Sequence, residues 1–93
     1  MRAAVRMGDV SAGHCFFPRP NISGSPNVFI NGIAAHTIGG KWPIHKCGKK
    51  FHPSVTVQGS PNVFINGLAL ARMGDKLNCG DACASGSPNV FVN

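Results

Sequence analysis

A chain of 93 residues carrying 12 Gly and 7 Pro, with no Tyr and no Glu, is sized for one small domain and is too turn-rich for long helices. At this length folding buries only somewhat more than ~60% of the unfolded surface, so a staple such as a metal ion or a disulfide is expected to supplement a thin core. The net charge of +6 sets nine Lys and Arg against Asp9, Asp75 and Asp81; no aromatic platform interleaves with the basic residues and no reading helix is visible, so nucleic acid is not the expected partner.

The opening "MRAAVRMGDV" is basic and reaches Gly8-Asp9 before a signal core could accumulate, so no signal peptide is expected. No apolar run approaches the length of a membrane helix. Val5 to Asp9, "VRMGD", reads as a first Gly-Asp turn, followed by a loop of 14 residues from Val10 to Ser23. Then comes "GSPNVFING", Gly24 to Gly32. Pro cannot donate a ladder hydrogen bond, so Pro26 is expected to mark the start of a strand. Beyond it Val28 and Ile30 alternate with Asn27, Phe29 and Asn31, which gives the strand two faces without saying which is buried. Asn31-Gly32 is a two-residue hairpin signal, and a return strand is expected from Ile33 to Ile38.

"HTIGG", His36 to Gly40, sits 35 residues before "ARMGD", Ala71 to Asp75, and is a degenerate middle copy of the same turn. An irregular loop of 18 residues from Lys41 to Gln58 leads into a second "GSPNVFING" at Gly59 to Gly67, with Pro61, the Asn66-Gly67 turn and a return strand from Leu68 to Met73. A third loop of 10 residues, Lys76 to Ser85, leaves room for a short helical turn at Asp81 to Ala84 before Pro88 and the last copy, "GSPNVFVN", at Gly86 to Asn93. The chain is therefore expected to be a single all-β domain over 1–93, built as three rounds of Gly-Asp turn, loop and GSPNVF strand. Three rounds permit pseudo-three-fold symmetry.

Counting from the turns brings out a candidate metal set. His14 lies five residues after Asp9, His45 five after Gly40, and Cys79 four after Asp75, while His52 sits further along the longest loop. Three imidazoles and one thiolate suit one tetrahedral zinc ion, and four protein ligands leave no open position for catalysis. Cys47, two residues after His45, is a rival for the place of His52. A disulfide between Cys79 and Cys83 would remove the thiolate. Cys15 adjoins His14 and would point elsewhere if His14 binds. His36 stands where round three has Ala71 and reads as a surface or packing residue. Catalysis has little foothold: Gly39-Gly40-Lys41 lacks the spacing of a phosphate loop, and no residue clearly orients a Cys–His pair.

"VRMGD", "ARMGD", the GSPNVF strands and "IHKCGKKFH" from Ile44 to His52 together resemble the PAAR-repeat proteins, the pointed caps of the spike in type VI secretion systems and contractile phage tails. The resemblance implies a cone of short strands and loops whose base docks on a trimeric β-helical spike protein and whose apex is stapled by one structural zinc ion. It implies His14, His45, His52 and Cys79 as the ligands, the same four reached by counting. It also implies a monomeric cap at the spike tip, cytoplasmic before firing and then delivered outward, touching the target membrane transiently. No effector extension is expected, and effectors would then bind separately or ride on the spike. Round two departs from the family pattern, with Ala34-Ala35-His36-Thr37 where round three has Ala69-Leu70-Ala71-Arg72, and it has lost both the Arg and the Asp of its turn. The contrasting expectation is a free-standing binding module, for nucleic acid or another partner, stabilised by zinc or by a disulfide.

Overall fold

The computed structural model describes residues 1–13, 18–47 and 50–93, with the side chains of 45–47 and 50–52 outside the description. The described residues are all-β: β1 Arg2–Ala3, β2 Phe29–Ile30, β3 Ile33–Ala34, β4 Lys41–Cys47, β5 Lys50–Val55, β6 Phe64–Ile65, β7 Leu68–Ala69 and β8 Phe91–Val92. They pair as four two-stranded antiparallel ribbons, β1–β8, β2–β3, β4–β5 and β6–β7. The folded chain measures 37 × 23 × 21 Å along its principal axes. None of its helices is long and apolar enough to cross a membrane, among the described residues.

Both Asn-Gly hairpins form. Asn31 and Gly32 hold φ of 55° and 76°, and Asn66 and Gly67 hold 52° and 82°, the paired left-handed conformation that a type I′ turn requires. The third GSPNVF copy pairs instead with the start of the chain, Ala3 opposite Phe91 and Arg2 opposite Val92. Strands are shorter than the alternation predicts. Ser25, Ser60 and Ser87 each accept, through the side-chain hydroxyl, the N–H groups two and three residues on, at 2.9–3.3 Å. Ser-Pro-Asn is thus a hydroxyl-capped turn, and the strand starts at Phe rather than at Pro. The Gly before each Ser is required by close approach: a Cβ on Gly24 would come within 2.6 Å of Ala34 Cβ, and one on Gly59 within 2.7 Å of Ala69 Cβ.

The return strands end early because the chain then bonds between rounds. Val5 N–H donates to Ala71 O at 3.0 Å, Ala71 N–H to His36 O at 2.9 Å, and His36 N–H to Val5 O at 3.0 Å, a closed ring of three. Isolated bridges repeat the circuit, joining Ala4 to Arg72, Arg6 to Ala35 and Thr37 to Leu70. Val5, His36 and Ala71 are fully buried at this ring. One apolar cluster gathers Ala4, Ile30, Ala35 and Leu70, with Val28, Val63, Ile65, Val90 and Val92 packed against it. Another joins Val5 and Ala71 to Trp42, Leu77 and Cys83. The Val/Ile face of every GSPNVF strand is therefore the core face, and Phe29, Phe64 and Phe91 remain 58%, 57% and 49% exposed.

Two loop expectations need correction. Residues 41–58 are largely a β-hairpin, whose register runs Lys41–Val55 and Trp42–Ser54, shifts, and resumes at His45–His52. Trp42, buried and hydrogen-bonded, anchors its base. Asp81 to Ala84 is extended rather than helical, because Ala82 bridges Lys76 and Cys83 bridges Ser11.

Candidate metal centre

Three segments that carry proposed ligands are drawn together by backbone bonds. Ala12 N–H donates to Ala82 O at 2.9 Å, and Gly13, at φ 99°, donates to Asp81 Oδ1 at 3.1 Å. The chain leading to His14 is thereby tied to the returning arm of the Cys79 loop. Cys79 lies in a tight reversal in which Leu77 N–H donates to Asp81 O at 2.9 Å and Gly80 N–H to Leu77 O at 3.1 Å. Asn78, its neighbour, donates its N–H to Val55 O at 3.0 Å and accepts Val55 N–H on its side chain at 3.1 Å, which joins the loop to β5. On that hairpin the backbone register sets His45 opposite His52.

Cys79 is half-buried against the Val5–Trp42–Leu77 cluster, and both it and Cys83 are free thiols. The predicted ligand His14, and Cys15 beside it, lie outside the described residues, while His45, His52 and Cys47 are described by backbone alone. Among the described side chains no three His, Cys or Asp groups gather around one point. Cys83 is buried, and that burial first of all pushes its thiol up to about 12, so it is an inert packing residue.

His36 belongs to the core. Its Nδ1 lies 2.9 Å from Ser23 O and its Nε2 2.8 Å from Thr56 Oγ1, which also accepts Trp42 Nε1–H at 2.9 Å. A carbonyl only accepts, so Nδ1 carries the proton and Thr56 donates its hydroxyl hydrogen to Nε2. The ring meets Trp42 edge-on, with centroids 5.5 Å apart. Burial, the largest cause, lowers the His36 pKa below its ordinary 6.5 against the opposing pull of the Ser23 carbonyl. Protonation would leave the Thr56 hydroxyl hydrogen without its acceptor. A depressed imidazole pKa means the unfolded chain binds more protons, so this contribution to stability is complete above about pH 6.5 and declines as pH falls below it. His36→Gln is expected to flatten that part of the stability–pH curve in denaturant titrations run at matched zinc; identical slopes in the two proteins would assign the effect elsewhere.

The middle round explains why His36 is there. In rounds one and three the Arg and Asp of the turn clamp one another: Arg6 Nε and Arg72 Nε each donate to Oδ2 of Asp9 and Asp75 at 3.0 Å, and the same oxygens accept the Arg backbone N–H at 2.8 and 2.7 Å. Round two has Thr37 and Gly40 at these positions. A Cβ on Gly40 would lie 2.2 Å from His36 Cε1 and 2.6 Å from Nε2, so the imidazole fills the space of the missing carboxylate side chain. The missing arginine leaves a groove of about 660 Å³ beside Gly24, Thr37, Ile65, Asn66 and Leu68. Gly40→Ala is expected to cost ~1–3 kcal/mol by overpacking, and pairing it with His36→Ala should recover part of that loss in a double-mutant cycle. Additive costs would show that the two positions do not share this space.

The PAAR motif family model matches residues 18–85 of the chain. No curated protein matches it.

Proposed function

The chain belongs to the PAAR-repeat family, whose role is structural and spike-associated rather than catalytic, and from this premise we propose that it caps a trimeric β-helical spike and sharpens it for puncture of a target envelope. The observation that carries this proposal is the trio of half-exposed phenylalanines, Phe29, Phe64 and Phe91, each opposite an Ala in one of three two-stranded antiparallel ribbons. Aromatic side chains left in solvent at three matched points suit a partner that offers three matched pockets. The cyclic exchange of backbone bonds among Val5, His36 and Ala71 supports the same pseudo-three-fold arrangement, with the domain as one unit of three repeats.

One structural zinc ion would be held by His14, His45, His52 and Cys79. The donor set fits a closed tetrahedral site, and the bonds of Gly13 to Asp81 and of Asn78 to Val55, which link the chain before His14 and the β4–β5 hairpin to the Cys79 loop, support this assignment. When bound, zinc supplies a cross-link among loops with little core of their own. The chain's residues do the rest: the Arg–Asp clamps hold two turns, His36 packs the third, and Trp42 anchors the β4–β5 hairpin. A stiff narrow point concentrates the force of sheath contraction on the envelope, and the cap travels at the spike tip from the cytoplasm to the outside, touching the target membrane in passing. Effectors would travel bound separately or on the spike. Co-purification with the spike trimer tests the assignment; a folded cap that never co-elutes with it would overturn docking.

A further inference from the structure

Asp81 is the one acid of the chain that the Arg–Asp clamps do not explain. Asp9 is paired with Arg6, and Asp75 with Arg72 and Arg2, whereas Asp81 has no cationic side chain against it among the described residues. It is only 2% exposed. Its Oδ1 accepts N–H from Gly13 at 3.1 Å and from Ala82 at 2.8 Å. Among the described residues Oδ2 is buried without a partner. A carboxylate withdrawn from water with one oxygen unpaired and no counter-charge is strongly disfavoured, so a donor or a cation is called for at that atom.

Two relations along the chain point to the same source. Gly13 precedes His14, and Cys79 lies two residues before Asp81 on the same reversal. A metal-bound imidazole commonly donates its free ring N–H to a carboxylate, which orients the ring and makes the metal-bound nitrogen a better donor. We propose that Asp81 is a positioning residue of the metal centre, its Oδ2 accepting the N–H of a ligating imidazole and its charge offsetting that of the ion. This inference rests on the zinc site proposed above. The carboxylate then serves twice, since Oδ1 holds the segment that delivers the ligand while Oδ2 orients it.

Asp81→Asn keeps an acceptor for Gly13 and Ala82 but removes the charge and places a donor at the second position. Zinc affinity, measured by chelator competition, is expected to fall ~10–100-fold. The visible spectrum of the cobalt-substituted protein, including its thiolate-to-metal band, should stay that of the wild type because the ligand set is unchanged. Without metal, the variant should be as stable as the wild type or more so, since a buried unpaired charge has gone. Asp81→Ser, which retains a hydroxyl acceptor, should behave alike and serves if the Asn variant does not fold. Unchanged zinc affinity, or equal destabilisation of the metal-free and zinc-loaded forms, would overturn the positioning role. An altered cobalt spectrum would replace it with direct ligation. A wild-type protein that binds neither zinc nor cobalt would overturn the metal site itself, and Asp81's role with it.

Discussion

Chelating zinc from the purified protein is expected to lower its thermal midpoint by well over ~10 °C. Structural zinc contributes ~10–16 kcal/mol of apparent binding energy in small peptides at neutral pH, and for a domain of this size each kcal/mol is worth ~4–8 °C. Even a modest fraction of that linkage dominates the stability of a chain whose apolar clusters consist largely of Ala, Val, Leu and one Trp. Cys79→Ala should reproduce the loss without chelator, with elemental analysis showing less than the single zinc per chain expected of the wild type. Cys83→Ala is the control. Its thiol is buried and lies in the same cluster, so zinc content should hold and only ~1 kcal/mol of stability should go. A wild-type protein that is metal-free as purified, and whose midpoint is indifferent to chelator, would remove zinc from the account; collapse on reduction instead would favour the disulfide-stapled module.

Replacing Phe29, Phe64 and Phe91 together with Ser is expected to abolish co-elution with the spike trimer while leaving the cap folded. Because these rings are half in solvent already, the free protein should lose little, about 0.5 kcal/mol or less per site. Docking would bury them fully, and a buried aromatic anchor can cost ~2 kcal/mol or more when truncated. Three such losses, even if not additive, would weaken binding by more than ~1000-fold. The single variants are the sharper test of geometry. Equivalent positions on a three-fold partner should lose similar affinity, so one dominant phenylalanine and two silent ones would contradict symmetric docking, and a triple variant that binds like the wild type would contradict the face altogether.

Legibility in the sequence followed range. Asn31-Gly32 and Asn66-Gly67 were readable because a type I′ turn is decided by the φ preferences of two adjacent residues. Ser25, Ser60 and Ser87 carried an equally local signal, hydroxyl capping of the following N–H groups, that the strand-starting reading of Pro passed over. The β4–β5 hairpin was missed because Pro43 and Pro53 interrupt its pattern and its register shifts between Trp42 and His45. His36 was legible as packing only once Gly40 was seen beside it, since a residue four positions away had vacated the volume it occupies.

Of the candidate site, ligand types and their spacing came from counting, whereas the hydrogen bonds linking Gly13 to the Asp81 carboxylate and Asn78 to Val55 did not. The repeats, the Asn-Gly reversals and the paired Arg and Asp of two turns were determined by the sequence alone, because each depends on residues within a few positions of one another. Tertiary structure alone decided that Val and Ile face inward and Phe outward, that the last strand pairs with Arg2 and Ala3, and that His36 joins Val5 and Ala71 in one buried ring. A period of two offers both faces equally. Only the bonds between rounds choose which of them water can reach.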